Sequence, residues 1–428
     1  MRTILFFLLC LVLQIAYGQP DPSGYPSPSM TQGKQPPQGG PVLVRPYPIS
    51  YANNQFKIII IVDLVYDMLQ FTLKDDEYLA SFDTEIIFLE KKSRQTYSKV
   101  WPSTFSVKDY ELTNRRDKLF LTWDSLTIPP GEYEVTFKYQ DLQGKQKFQT
   151  KLNFSLPVVK ELQAPSPLFM VDFRNDEPVL PLLPARPLAS WGQLPFNEKL
   201  KMLLNVHSTR DTLLQVSVDV YEKSNSHQVC DLDTLLHLTN HQAMFLVDLP
   251  SQEWPEGKYD AKMVYRGSAD SLIQQIPLEL IWITKPRSLR ILEYAIPPLK
   301  VILPENEYNE INSGSKEERR RKFENFWQQK DPTPGTAFNE ILFEFYNRVD
   351  SVDRVWSDKR TPGWSTDPGR IILSYGQPNE VEDNSLSPVK PYLRWTYFLA
   401  DRTLTFTFQA LEGRKRYRLI EEGENQNP

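Results

Sequence analysis

The chain has 428 residues, with 54 acidic against 49 basic side chains and 35 prolines. That length supplies several cores of about 100–150 residues each, and the slightly acidic balance leaves no electrostatic footprint for nucleic acid or an anionic membrane surface. Two cysteines, Cys10 and Cys230, are too few for a disulfide framework, so apolar cores must hold the fold.

Residues 1–18 read as an export signal: Arg2 gives the positive start, Ile4 to Ile15 the apolar core, and Ala16-Tyr17-Gly18 a small-x-small cleavage site. The apolar run is too short to span a membrane and no comparable run follows, so no transmembrane segment is expected. Leu9 precedes Cys10 where a lipid-attachment site needs a small residue, which disfavours lipidation. The mature chain is therefore expected to begin at Gln19, exported and soluble, in the periplasm or outside the cell. Residues 19–50 hold nine prolines and four glycines, a composition that predicts a disordered, partly polyproline-II tether.

Folded modules follow. The run Phe56 to Tyr66 (FKIIIIVDLVY) is almost continuously apolar, like a central strand of a sandwich. Glu85 to Leu89 and Lys118 to Trp123 are further strand candidates. Pro130-Gly131 then turns the chain into Tyr133, Val135, Phe137 and Tyr139, which alternate, and a second turn leads to Thr150, Leu152, Phe154 and Leu156. This predicts a β-hairpin with one apolar face. The pattern returns 126 residues later, at Tyr259, Ala261, Met263 and Tyr265 and then at Ile276, Leu278, Leu280 and Trp282. A repeat of this size indicates duplicated domains, not a solenoid. Two tandem Ig-like or macroglobulin-like β-sandwiches are expected at 51–157 and 158–285. The proline-rich Ala164 to Pro187 is expected to wrap the second one's entry.

Beyond Pro286 the period changes to that of helices. Ser315 to Glu318 is a capping box opening a helix that buries Phe323, Phe326 and Trp327. The basic run from Arg319 to Lys322 reads as a solvated face. A second helix is expected from about Thr336 to Trp356. Gly363-Trp364-Ser365-Thr366-Asp367-Pro368-Gly369-Arg370 reads as a turn feeding a short helix, with Asp367 as N-cap, Pro368 in the first turn, Gly376 as C-cap and Pro378 as stop. Most of the Trp364 ring is expected to be buried between this helix and the longer one before it. Leu393 to Phe398, Thr403 to Phe408 and Tyr417 to Ile420 then predict a three-stranded antiparallel meander. The fold class is thus multidomain and mainly β, closing with an α+β domain at 286–428.

These last residues resemble the signature of the GWxTD-domain family of exported bacterial proteins. The resemblance rests on Gly363, Trp364, Thr366 and Asp367, on Gly369, Arg370, Tyr375, Gly376 and Pro378 after them, and on an upstream turn containing Trp327, Asp331, Pro332, Pro334 and Gly335. The residue after Asp367 is Pro368, where the family pattern has a basic one. A shorter stretch, from the Gly-x-Pro through Arg394-Trp395-Thr396-Tyr397-Phe398, looks like the BamE/SmpA-type proteins of outer-membrane assembly. The family takes its name from a motif, not a reaction; the resemblance implies export and an envelope setting.

No phosphate loop, dinucleotide fingerprint, Gly-x-Ser-x-Gly elbow or His-Glu-x-x-His occurs. One cluster stands out: His227, Cys230, His237 and His241, with the spacings His-x-x-Cys and His-x-x-x-His that a tetrahedral zinc site uses. Against a site stand the six-residue gap between the pairs and the alternative of exposed loop histidines. Asp367 and Arg370 form a catalytic pair or a ligand clamp, or else Asp367 caps the helix, Arg370 pairs with a carboxylate and Trp364 anchors the loop; the residue types favour the last reading. The reading is a non-catalytic exported scaffold or adaptor with protein partners in the bacterial envelope, near an outer-membrane-associated complex, with no nucleic acid and no required cofactor. Two alternatives remain: a zinc-dependent enzyme or binder built on the histidine–cysteine cluster, and a ligand-binding protein with an aromatic groove.

Overall fold

The computed structural model describes residues 42–114, 118–142, 147–158, 161–173, 180–190, 192–358, 360–385, 391–411 and 416–426. Residues 1–41, where the export signal and most of the tether are expected, lie outside them.

Sandwich one is built from β1 (Val42–Ala52), β2 (Gln55–Val65), β3 (Thr72–Lys74), β4 (Glu77–Glu90), β5 (Thr96–Val107), β6 (Leu119–Ile128), β7 (Gly131–Asp141) and β8 (Lys147–Leu156). One sheet has the order β1-β2-β6; the other runs β3-β4-β7-β8, with β5 on β4's flank. The tether therefore ends sooner than the sequence reading placed it. Residues 42–50 are most of β1, and Val42 and Val44 are buried in the core. Pro46 and Pro48 hid this strand, because proline suits only edge strands and bulges. β1 is such an edge, and its register shifts between Pro48 and Ser50.

Sandwich two comprises β9 (Leu162–Gln163), β10 (Leu168–Val171), β11 (Arg186–Pro187), β12 (Gln193–Pro195), β13 (Lys201–Ser208), β14 (Leu213–Glu222), β15 (Gln228–His237), β16 (Gln242–Asp248), β17 (Gly257–Arg266) and β18 (Ser271–Ile281). Its sheets are β11-β10-β13-β16, with β9 on β13, and β12-β18-β17-β14-β15. The series β15-β14-β17-β18 repeats β5-β4-β7-β8 strand for strand. Details repeat as well. The Tyr133 hydroxyl donates to the Pro129 carbonyl at 2.6 Å, and the Tyr259 hydroxyl to that of Pro255 at 2.6 Å, the corner tyrosine of such sandwiches. The hairpin register departs from the uniform 126-residue offset. Gly131 faces Leu156, whereas Gly257 faces Leu280, so β18 lies 124 residues beyond β8 (280 − 156) while β17 lies 126 beyond β7 (257 − 131). Period-two alternation looks the same after a slip of two, so the sequence left that slip unmarked.

The sandwiches share a wall. Ile58, Ile60 and Val62 face sandwich one's own core, while Ile59 and Ile61 join Tyr47, Leu168, Met170, Leu183 and Leu203 in a separate cluster between the two domains. Burial on both faces explains the continuous apolar run. Residues 180–190 lie in this shared layer and do not merely wrap an entry. Within it, Arg186 pairs with Asp63 at 3.0 Å, the Ala189 amide donates to the same carboxylate at 3.1 Å, and the Asn205 amide group reaches the Pro48 carbonyl at 2.9 Å.

The C-terminal domain contains α1 (Glu305–Ile311), α2 (Lys316–Gln328), α3 (Glu340–Trp356) and α4 (Asp367–Tyr375), then β19 (Glu380–Asn384), β20 (Tyr392–Phe398), β21 (Arg402–Leu411) and β22 (Arg416–Gln426). The capping box opens α2. α3 starts later than expected, behind the N-cap Asn339, because Phe338 turns instead toward sandwich two, where it meets Phe196 and Trp282, with Phe343 of α3 alongside. The sheet has the order β19-β20-β21-β22, so a wholly exposed edge strand adds to the expected three. Its sequence, Glu-Val-Glu-Asp-Asn, carries no apolar alternation. Leu404, Phe406 and Phe408 face the helices and are buried.

Candidate functional site

Gly363 to Ser365 form a single 3-10 turn that lies directly on α3. A Cβ on Gly363 would collide with the Val352 carbonyl, and one on Gly369 would collide with the Gly363 carbonyl. Glycine is needed at both places for close backbone approach. The turn is then pinned by α3: Asp353 accepts the Trp364 amide at 3.1 Å, and Ser357 Oγ accepts the Gly363 amide at 2.7 Å. Burial raises the Asp353 carboxyl above its ordinary range, against the lowering effect of these amides.

The N-cap of α4 is Thr366, not Asp367. Thr366 Oγ1 accepts the Gly369 amide at 3.2 Å and donates to the Gly363 carbonyl at 2.7 Å. Asp367 is the first helical residue, followed by Pro368, and its carboxylate works away from the helix axis. Oδ1 holds Arg370, and Oδ2 accepts the Leu419 amide of β22 at 2.8 Å. That amide sits next to the place where the β21–β22 register shifts, Phe408 facing Leu419 and Thr407 facing Glu421. Asp367 thus ties the helix start to an irregular sheet edge. Trp364 is half-buried against the core, less enclosed than expected. At the other end of α4, Gly376 takes φ +84° as C-cap and accepts the Tyr397 hydroxyl at 3.0 Å, and the Tyr375 ring lies 5.5 Å from that of Phe406. Pro378 follows, two residues before β19.

The upstream turn is held from within. Asp331 Oδ1 accepts the Thr333 amide at 2.9 Å, and Thr333 Oγ1 donates to Glu340 at 2.8 Å. Pro332, Pro334 and Gly335 are exposed. Trp327 is 2% exposed, 5.4 Å from the Phe345 ring, and its carbonyl accepts the Asn339 side chain at 2.7 Å. Past the turn, the Ala337 amide donates to the Gln252 carbonyl of sandwich two at 2.8 Å.

The four proposed zinc ligands are not brought together. His227 precedes β15 and His237 ends it, which places them about 33 Å apart at strand rise. Cys230, between them, points into the core of sandwich two, and burial pushes its thiol up, away from the thiolate a metal needs. His241 lies in the next turn, where its Nδ1 is 3.1 Å from the Ser208 carbonyl and its ring 6.5 Å from that of His207. A strand, where the sequence reading had a loop, is what separates them. Among the described residues no group of three or more His, Cys, Asp and Glu side chains could hold a metal ion. Asp353 and Leu419 are the members of the signature region that the sequence reading missed. No spacing rule marks either, although a carboxylate on α3 facing a glycine turn is the kind of acceptor such a turn requires.

The described chain is a mainly β protein with two sandwiches and a C-terminal α+β unit whose signature turn is locked to its longest helix. Residues 283–427 match the family model of the GWxTD domain, so the C-terminal unit is a GWxTD domain. The stretch that looks like BamE/SmpA lies within those residues, and the match does not show that likeness. No curated protein matches the sequence. Among solved structures, dimeric latent PorU from Porphyromonas gingivalis is similar at 9% identity and a TM-score of 0.26, over 57% of this chain and 20% of that one. The FN1–FN3 domains of chicken CNTN1 are similar at 11% identity and a TM-score of 0.15, over 56% and 66%. This chain thus spans a fifth of the first and just under two thirds of the second, and neither likeness carries an argument at these scores. No helix among the described residues is long and apolar enough to cross a membrane.

Proposed function

We propose that this protein is a non-catalytic scaffold or adaptor of the bacterial cell envelope, exported through its N-terminal signal and acting by protein–protein contact, with an outer-membrane-associated complex as its partner class. One observation carries the reading: each polar side chain from Gly363 to Arg370 is engaged in holding the turn, the helix or the sheet edge. Catalytic groups are held toward an open site, whereas Ser365, Thr366 and Asp367 are bonded to backbone amides and carbonyls and the exposed Arg370 is paired with Asp367. The shared wall of the sandwiches and the Phe338–Trp282 contact also join the domains into one body, which suits a scaffold that must hold partners at fixed spacing. Cross-linking in intact cells, followed by purification of the tagged full chain and mass spectrometry, tests it. A reproducible set of envelope proteins is expected; recovery of the chain alone at every cross-linker dose overturns it.

A further inference from the structure

The duplication allows one sandwich to be compared with the other. In sandwich two the outer edge of β18 is closed by β12, which runs parallel to it, with Leu194 opposite Leu280. The Glu279 amide donates to the Gly192 carbonyl at 2.8 Å and the Phe196 amide to the Ile281 carbonyl at 3.0 Å, while Leu194 is buried in the core. These bonds establish which backbone groups face outward: the Glu279 amide points away from β17.

The offset of 124 residues places Ser155 of β8 where Glu279 stands (279 − 124). Outward-facing groups alternate along a strand, so the amides of Ser155, Asn153, Lys151 and Gln149 all point away from β7. Among the described residues the sheet ends at β8, with no strand in the place of β12. A free edge of ten residues is a template for a further strand, and natural proteins blunt such edges with proline, bulges or lysine. β8 has no proline and a continuous register; it carries only Lys147 and Lys151, and the second is paired with Glu134.

We propose that the β8 edge of sandwich one is a docking site for an extended segment of a partner protein, added as a parallel strand where sandwich two carries β12. The occupant places an apolar residue inward beside Phe154 and Leu156, as Leu194 does beside Leu280, and neutral or acidic residues outward beside Lys147. Pro157 stands at the Ile281 position and has no amide, so the ladder runs from Ser155 back toward Gln149. The proline-rich segment before residue 42 is a poor occupant, since each proline removes a ladder donor. A second copy pairing β8 with β8 would gather four lysines on one edge. The proposal rests on the adaptor reading and names the surface it uses.

The probe is a synthetic peptide with the sequence of residues 188–197, Leu-Ala-Ser-Trp-Gly-Gln-Leu-Pro-Phe-Asn, whose Gly192, Ser190 and Leu188 carbonyls come opposite the amides of Ser155, Asn153 and Lys151 in the register of β12. With the full chain, saturating peptide is expected to slow hydrogen exchange at Lys151, Asn153 and Ser155 by at least about tenfold. A peptide with Leu194→Asp should leave exchange unchanged. Ser155→Pro in the chain removes the amide that corresponds to that of Glu279 and should abolish the protection at Lys151 and Asn153 with the melting temperature kept, because proline is tolerated on an unpaired edge. Unchanged exchange at these three amides, or protection of Lys151 and Asn153 that survives Ser155→Pro, overturns the proposal. So does protection that rises with protein concentration in the absence of peptide, which would make the occupant a second copy. So does fast exchange appearing only on deletion of residues 19–41, which would make it the chain's own segment. The adaptor reading is judged separately, since cross-linked partners elsewhere on the surface leave it standing.

Discussion

Asp367 Oδ2 accepts the amide hydrogen of Leu419 at 2.8 Å, across 52 residues of sequence. The aspartate of the signature is thus a clasp between α4 and the terminal strand, while the neighbouring threonine caps the helix. The two roles separate by mutation. Asp367→Ala leaves a partly buried amide without an acceptor, at a cost of about 1–3 kcal/mol, and should raise hydrogen exchange at Leu419. Thr366→Ala should cost about 0.5–2 kcal/mol and loosen the first turn of α4 with Leu419 still protected. Equal effects on Leu419 exchange in both variants would refute the clasp.

The two tryptophans of the paired motifs differ in enclosure. Trp327 is 2% exposed, so Trp327→Ala should cost about 3–5 kcal/mol. Trp364 is half-buried, and its replacement by alanine should cost less, about 1–3 kcal/mol. Denaturant titration of the full chain, followed through the transition of the C-terminal domain, ranks them; the reverse order would contradict the packing described.

Asp63 and Arg186 form an ion pair buried between the sandwiches. Removing one partner of such a pair strands the other charge, at a cost of about 3–5 kcal/mol. Asp63→Ala should therefore split a joint melting transition of the sandwiches and expose residues 180–190 to protease. A single transition with unchanged proteolysis would show that the apolar layer alone suffices.

Asp353 gives a pH dependence of definite sign. Its folded-state pKa is raised by burial, so the native state holds the proton more tightly than the unfolded chain does. Stability is then gained as pH falls and lost as pH rises through the interval above the ordinary Asp value of about 3.9. Asp353→Asn keeps an acceptor for the Trp364 amide and removes the ionisation, so thermal stability measured between about pH 4 and pH 7 should fall less steeply than in the native chain. An identical pH slope would assign the dependence to other groups.

Much of this architecture was legible where one face of an element is buried. Tyr133 to Tyr139 and Leu404 to Phe408 alternate cleanly, and the capping box at Ser315 is local chemistry. Legibility failed where tertiary contacts overrode the local signal. Pro46 and Pro48 made β1 look like tether, although Val44 and Ile49 are buried on its opposite faces. Proximity in sequence made a cluster of His227, Cys230 and His237, which a strand then drew apart. The partner of Asp367 lies 52 residues away on a strand whose irregular register has no signature of its own.

The wall shared by the sandwiches also bears on how the chain is made. Ile59, Ile61 and Tyr47 belong to strands that can pair once residue 128 has appeared, yet Leu168, Leu183 and Leu203, which help to cover them, sit on strands and a loop that come later. At about 5–20 residues per second, elongation from residue 128 to residue 208 takes roughly 4–16 s, during which an apolar sheet face stays open. That interval far exceeds hairpin formation, about 1–10 μs. The nascent first sandwich is therefore an aggregation-prone intermediate until the second arrives, and a chain cut after residue 157 should be sticky and dependent on a holdase, whereas one cut after residue 285 should not.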